Sequence, residues 1–312
     1  MDSITDEQTS VITYASRSSL PRTIEVLADG WTFLILKAAF FGVRRFEEYR
    51  RVTGAPRARI SERLAHLVLH NVLQKQKYLD RPARYEYILS ESGHDLYGMI
   101  LLMKNWGESW RDLSSITALT HKICGRNLVP ILICGNCKNP IRREDIDLEE
   151  EVNSENRSAL PVRRQLKQKA YATTQSDDPV AKTLSVVADH WTMLVLAEIF
   201  NGSTTFEVLR RKIGIAKSTL TSRLNHLIDQ AVLEKSLYQE KPNRYRYLLT
   251  NSGRDLFGIA ITMNAWGEKW LVDKTSVHSK LSHKVCGEVL NPIVVCKTCN
   301  KQIFSQDVLR GS

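Results

Sequence analysis

Two sets of soft ligands stand out. His121, Cys124, Cys134 and Cys137 follow a His-x2-Cys-x9-Cys-x2-Cys spacing, and His283, Cys286, Cys296 and Cys299 repeat it without change. Zinc takes four nitrogen or sulfur ligands in a tetrahedron, usually as two close pairs that a turn brings together. Here each set is a His-Cys pair followed by a Cys-x2-Cys pair. The intervening R-N-L-V-P-I-L-I and E-V-L-N-P-I-V-V read as hairpins, giving one small zinc ribbon per set. With all four positions filled by protein the metal is structural and not catalytic, and two sets imply about two zincs per chain. Disulfide or redox use of Cys134/Cys137 and Cys296/Cys299 is the competing reading. Against it, the N-terminus M-D-S-I-T-D-E-Q has no signal-peptide character. No apolar run reaches the roughly 20 residues of a membrane span. A cytoplasmic chain with six cysteines points to metal before structural disulfides.

Each set follows a much larger repeated unit, organised around the stretch from Gly54 to Leu89. Ile60, Leu64 and Leu67 are spaced four and three residues apart and share one helix face. The opposite face carries Arg57, Arg59, Ser61, Glu62, Arg63 and His66. Two strands follow, V-L-Q-K-Q-K-Y-L and R-Y-E-Y-I-L, with Pro82 in the turn between them. A basic-faced helix followed by a two-stranded ribbon with a basic tip is the reading head of a winged helix-turn-helix. The same object recurs from Gly214 to Leu249. The expected fold class is therefore mainly α with small β wings (α+β): two winged helix-turn-helix domains, each followed by a small Cys-rich element.

The repeat runs through the whole chain. Trp191, Phe206, Arg223, Arg244, Gly253 and Trp266 each stand 160 residues after Trp31, Phe46, Arg63, Arg84, Gly93 and Trp106. Beyond Trp270, the counterpart of Trp110, the offset is 162 for His283, Cys286, Cys296 and Cys299. All six tryptophans and all six cysteines fall into pairs, so the chain is an internal duplication, a tandem of domains and not a solenoid. The expected boundaries are a flexible N-terminus at 1–19, winged-helix domains at 20–113 and 179–273, and Cys-rich elements at 114–141 and 274–304. A linker fills 142–178 and a tail 305–312. In the first copy a helix starts at Leu20-Pro21-Arg22. W-T-F-L-I-L-K-A-A-F-F from Trp31 to Phe41 forms a buried helix ended by Gly42, and Phe46 to Val52 a short helix. Ser90 opens a long amphipathic helix bearing Leu96, Met99, Ile100, Met103, Trp106, Trp110 and Leu113. The linker is acidic from Glu144 to Glu155 and basic from Arg163 to Lys169. As a flexible coil of about 37 residues it spans roughly 30–35 Å, close to the ~34–36 Å between half-sites on one face of B-DNA.

These residues resemble the HxlR-type family of bacterial winged-helix transcription regulators. In the first copy the resemblance lies in G-W-T-F-L-I-L at 30–36, R-R-F-E-E-Y-R-R at 44–51 and R-A-R-I-S-E-R-L at 57–64. It continues with R-P-A-R-Y-E-Y-I-L-S-E-S-G at 81–93 and N-W-G at 105–107. The second copy matches with H-W-T-M-L-V-L at 190–196, T-F-E-V-L-R-R at 205–211 and K-S-T-L-T-S-R-L at 217–224. K-P-N-R-Y-R-Y-L-L-T-N-S-G at 241–253 and A-W-G at 265–267 complete it. The resemblance covers about 90 to 95 residues of each copy and implies DNA binding as a dimer paired through the long C-terminal helices. Members are usually single domains; here two copies share one chain, and each has a Cys-rich tail. No cysteine precedes Cys124, so the family's N-terminal thiol switch is not expected.

A net charge of +10 and a pI near 9.3 favour a polyanionic partner. The expected contacts to double-stranded DNA are Arg57, Arg59, Ser61, Glu62 and Arg63 on the first reading helix. On the second they are Lys217, Ser218, Thr219, Thr221, Ser222 and Arg223. Arg81 and Arg84, then Lys241 and Arg244, arm the wing tips for the phosphate backbone or minor groove. Arg63 and Arg223, each just before a core leucine, fit base reading, phosphate clamping or an internal ion pair equally. Tyr85, Tyr87, Tyr245 and Tyr247 read first as packing residues. The two helices differ, so the expected function is a transcription regulator, a repressor by its size, acting as an intramolecular pseudo-dimer on an imperfect palindrome. Alternatives are a ligand- or redox-responsive sensor with a small-molecule effector, and a zinc-stabilised RNA-binding or adaptor module. Two chains paired through the long helices are also open. No Gly-rich phosphate loop, H-E-x-x-H or nucleophile elbow is present, so no enzyme is expected; Asp29, Asp189 and His190 read as helix-entry residues.

Overall fold

The computed structural model describes residues 19–111, 118–148, 177–271 and 281–310. Most of the predicted N-terminus, linker residues 149–176 and Leu113 therefore lie outside the described residues.

The first copy begins with α1 (Leu20–Leu27) and α2 (Gly30–Phe40), separated by a corner at Asp29. The Asp29 carboxylate accepts from the backbone N–H of Trp31 and Thr32 and so caps α2, satisfying donors that the first turn cannot. α2 is apolar nearly all round and correspondingly buried, with Phe33, Ile35 and Leu36 at 1% exposure or less. α3 (Phe46–Thr53) ends at Gly54, whose φ of +69° is the left-handed cap that glycine adopts without strain. α4 (Arg57–Leu69) follows, then the wing strands β1 (Leu73–Leu79) and β2 (Arg84–Leu89). Ile60, Leu64 and Leu67 of α4 are fully buried, each contributing about 1.5–3 kcal/mol and leaving the basic face outward.

The helix expected from Ser90 is two helices. Ser90 caps the short α5 (Glu91–His94), and α6 (Tyr97–Trp110) starts afresh. A Cβ on Gly93 would sit 2.3 Å from the carbonyl oxygen of Val72. The short helix is thus pressed on the wing base, and the chain reorients at Asp95 and Leu96 before α6 runs into the core. The second copy repeats the order: α7 (Pro179–Val187), α8 (His190–Phe200), α9 (Phe206–Ile213), α10 (Lys217–Asp229), β7 (Leu233–Glu240), β8 (Asn243–Leu249), α11 (Asn251–Asp255) and α12 (Phe257–Trp270). In that numbering, β3 to β6 belong to the first tail.

The copies are not beads on a string. α6 of the first packs along α7 of the second, α12 of the second along α1 of the first, and α6 against α12. A Cβ on Gly107 would lie 2.1 Å from the carbonyl oxygen of Pro179, and one on Gly267 2.1 Å from Thr23 Oγ1. The glycine of each N-W-G and A-W-G motif is thus the seat of the partner copy's first helix. The preceding tryptophans cross over too: Trp106 Nε1 donates to the Ser252 carbonyl and Trp266 Nε1 to that of Ser92, both at 2.8 Å. Within the one chain the long helices α6 and α12 pack against each other and against the first helix of the opposite copy. An antiparallel bridge between Asp29 and Asp189 marks the pseudo-twofold axis.

The tails depart most from expectation. The first holds β3 (Leu119–His121), β4 (Arg126–Asn127), β5 (Pro130–Cys134) and β6 (Ile146–Leu148); the second holds β9 (Leu281–His283), β10 (Glu288–Val289), β11 (Pro292–Cys296) and β12 (Val308–Arg310). On its own copy β5 meets residues 139–141 through an isolated bridge between Ile133 and Pro140. It pairs with β11 over five residues, Pro292 opposite Cys134 and Cys296 opposite Pro130. β6 joins β9, and β12 joins β3. Residues 143–148, read as linker, and 305–310, read as tail, are therefore edge strands with their preceding 3-10 turns, each completing a sheet of the opposite copy. Strands of two or three residues are too short to stand alone; β4 and β10 pair with β3 and β9 of their own copies, and the opposite copy supplies the third strand of each sheet. Two ribbons become one interlocked module.

Candidate nucleic-acid interface and metal centres

On α4, Arg57, Ser61 and Glu62 are exposed and Arg59 partly so. The arginines are held in surface ion pairs: Arg57 to Glu47 at 2.8 Å, and Arg59 to Glu62 at 2.8 Å. Arg57 also lies over the Phe46 ring, 5.1 Å from its centroid. Exposed pairs contribute only about 0–1 kcal/mol, so a phosphate can displace Glu47 or Glu62. On α10, Lys217, Ser218, Thr221 and Ser222 are exposed and Thr219 half-buried, with Thr221 Oγ1 donating to the Lys217 carbonyl at 2.9 Å.

Arg63 and Arg223 point elsewhere. The Arg63 side chain is 18% exposed and lies 3.5 Å from Asp29 and 3.2 Å from Glu62. Arg223 Nε lies 2.7 Å from Asp189. Of three equal readings, the structure realises the internal ion pair. Glu62, exposed on the same face, divides its two carboxylate oxygens between Arg59 and Arg63.

At the wing tips Arg81, Arg84, Lys241 and Arg244 are all exposed. Behind them lies a basic layer that the sequence reading passed over. Lys75 sits 4.2 Å from the Tyr85 ring centroid, Arg45 4.9 Å from that of Tyr78, Lys235 5.0 Å from that of Tyr245, and Arg246 5.3 Å from that of Tyr238. Cation–ring stacking holds these charges along the ribbon. The signal was present in the alternation of Lys and Tyr along facing strands. Tyr85 is 41% exposed and packs against Lys75 on the ribbon and not in the core. Tyr87 and Tyr247 do pack on the core, and burial raises the pKa of both phenols.

The structure gathers all eight predicted metal ligands, but in crossed sets. His121 and Cys124 of the first copy meet Cys296 and Cys299 of the second; His283 and Cys286 meet Cys134 and Cys137. Within each cluster the ligand atoms lie within 4.8 Å of one another. His121 Nδ1 is 3.5 Å from Cys124 Sγ and 3.3 Å from Cys299 Sγ, and Cys124 Sγ is 4.0 Å from Cys296 Sγ. His283 Nδ1 is 3.4 Å from Cys137 Sγ and 3.5 Å from Cys286 Sγ. A tetrahedron built on bonds of ~2.3 Å to sulfur and ~2.0–2.1 Å to nitrogen has S···N edges near 3.6 Å and S···S edges near 3.8 Å. The donor set and its edges therefore fit such an ion. Both histidines are fully buried with Nδ1 turned to the sulfurs and Nε2 without a hydrogen-bond partner. The backbone N–H of Asn139 lowers the Cys137 thiol pKa to about 7, while that of Cys286, which shares a hydrogen bond with it in the same cluster, is raised. The expected in-copy ribbons are thereby corrected. The β5–β11 pairing carries each Cys-x2-Cys turn to the other copy's His-Cys turn.

Comparison with known proteins follows the same division into copies. Uncharacterized HTH-type transcriptional regulators of Mycobacterium tuberculosis and Mycobacterium bovis are 35% identical over 131 residues, 42% of this chain and 83% of the relative. The regulator YdeP of Bacillus subtilis is 30% identical over 117 residues, 35% of this chain and 91% of its own. A solved structure, PA1607, aligns with 45% of this chain and 96% of its own at 29% identity and a TM-score of 0.41. A family model described as HxlR-like helix-turn-helix matches residues 26–115 and again residues 186–275, more than half of the sequence, and the chain belongs to that family twice over.

Proposed function

We propose that the chain regulates transcription by setting both reading heads of one polypeptide on a single DNA duplex, as an intramolecular pseudo-dimer. The observation that carries this reading is the interlocking of the copies. α6 lies along α7 and α12 along α1, while α4 and α10 keep their basic faces exposed. What relatives achieve by association is then built into one chain. The operator is an imperfect palindrome, because Arg57, Arg59 and Glu62 correspond to Lys217, Thr219 and Ser222. The half read by residues 57–63 has the greater G·C character, since arginine pairs two-fold with guanine. Regulation is by repression, in the cytoplasm. Selection of bound duplexes from random DNA, followed by footprinting, tests this. Two unequal half-sites about one helical turn apart are expected; a single protected half-site, or two identical and equally sensitive ones, would count against it.

Zinc is the metal that fits both Cys3His clusters, one ion in each, with a structural role. His121, Cys124, Cys296 and Cys299 hold one ion, and Cys134, Cys137, His283 and Cys286 the other. Bound there, it supplies cross-links between the copies, and the chain's own strands bring the ligands to it. Two zincs per chain by elemental analysis are expected, with thiols unreactive until a chelator is added.

Response to a small effector has one observation in its favour. A cleft of about 520 Å³ lies between the start of α6 and α12, lined by Tyr97, Met99, Ala265, Trp266, Glu268 and Phe304 among others, and that volume suits a small ligand. A compound acting there would weaken operator binding by the wild-type chain and not by Ala265→Trp.

A further inference from the structure

We infer that Arg63, Asp29, Asp189 and Arg223 form a relay across the pseudo-twofold axis that sets the spacing of the two reading helices. The inference rests on the two-headed reading above and adds how the heads are held in register. The backbones at Asp29 and Asp189 run antiparallel against each other as an isolated bridge between the copies, while each aspartate's own N–H bonds within its copy, to the Leu27 and Val187 carbonyls. Each is also the cap of its copy's buried helix. Asp29 Oδ1 accepts from Trp31 N at 2.9 Å and Thr32 N at 3.3 Å. Asp189 Oδ2 accepts from Thr192 N at 3.1 Å and Thr192 Oγ1 at 2.6 Å. Asp29 Oδ2 faces Arg63 of its own copy's reading helix at 3.5 Å, and Asp189 Oδ2, the oxygen that also caps α8, lies 2.7 Å from Arg223 Nε.

One turn further along α10, His226 Nε2 lies 3.2 Å from the carbonyl oxygen of Val186, just before the same corner. Each reading helix is therefore pinned to a corner, and the corners are pinned to each other. Rolling or sliding either helix stretches its Arg–Asp pair or shifts an aspartate whose backbone lies against the other copy. Arg63 and Arg223 are positioning residues, and base reading falls to the exposed residues around them. Asp29 and Asp189, taken from sequence as helix-entry residues alone, have a second duty.

The test uses the full chain and duplexes that the wild-type protein has selected from random DNA. They are resynthesised with the segment between half-sites lengthened or shortened by one or two base pairs. Each added base pair turns one half-site by about 35° relative to the other, and wild-type affinity is expected to fall about tenfold or more per step. Asp29→Asn with Asp189→Asn keeps an acceptor for the helix cap and removes the charge. This variant is expected to tolerate the altered spacings with less than about threefold loss, while its base preference within each half-site stays unchanged. Altered base preference with the spacing optimum retained would overturn the inference, as would no change in either. Should the double variant melt early, Arg63→Lys with Arg223→Lys keeps charge but shortens reach, and the same loss of spacing discrimination is expected. A wild-type chain with no spacing optimum at all would sink the two-headed reading itself, a distinct result.

Discussion

Crossed ligand sets and in-copy ligand sets predict opposite outcomes for two double substitutions. Take Cys124→Ser with Cys299→Ser, and Cys124→Ser with Cys137→Ser. In the structure Cys124 and Cys299 belong to one cluster, while Cys124 and Cys137 belong to different ones. A structural zinc site is worth about 10–16 kcal/mol over four ligands, roughly 2.5–4 kcal/mol per ligand, or about 10²- to 10³-fold in affinity for each thiolate lost. The first variant therefore loses two ligands from one centre, weakened about 10⁴- to 10⁶-fold, and leaves the other intact. It should hold one zinc as tightly as wild type and release none further to a competing chromogenic chelator. The second loses one ligand from each centre, so both ions should become labile together, each weakened about 10²- to 10³-fold. Metal content after dialysis, with a chelator titration on the same samples, reads both. If Cys124→Ser/Cys299→Ser makes both ions labile and Cys124→Ser/Cys137→Ser spares one, the ligands are grouped within copies and the reasoning fails.

Four further outcomes are expected. Gly107→Ala places a Cβ where Pro179 oxygen stands 2.1 Å away; it should destabilise the chain by about 1–3 kcal/mol, seen as a lower melting temperature. Trp106→Phe leaves the buried Ser252 carbonyl without its 2.8 Å donor, at about 1–3 kcal/mol, and Trp266→Phe should match it by pseudo-symmetry when the two are melted side by side. Glu62→Ser, the residue the second copy carries, frees Arg59 from its 2.8 Å pair. It should tighten DNA binding at low salt, and filter binding that shows weaker binding would refute a screening role for Glu62. Arg81→Ala and Lys241→Ala should each lower affinity evenly across sequences and reduce the salt slope by about one. A sequence-dependent loss would mean base contact.

What could be read in advance was whatever recurs at a short, regular spacing. Ile60, Leu64 and Leu67 lie on one face whatever they pack against, and the offset of 160 between Trp31 and Trp191 declares a duplication before any fold is known. The metal ligands were legible as residues and illegible as sets. When two copies carry the same four ligands at the same spacing, in-copy and crossed groupings have an identical formula. Only the pairing of β5 with β11 separates them. Residues 143–148 failed for a related reason. Ile146–Leu148 is a three-residue strand in a charged stretch, and its partner is β9 of the other copy, so nothing local announces it. Arg63 shows the same limit at a single position. Its neighbours placed it at the edge of a helix face, but its partner Asp29 is 34 positions away and at a corner whose own neighbour is Asp189. In a duplicated chain, then, pattern reveals each copy, while the contacts that make one machine of two are long-range and carry no periodic mark. That is also why those contacts, the crossed thiolates and the paired aspartates, are the places where a single substitution should be felt by both heads.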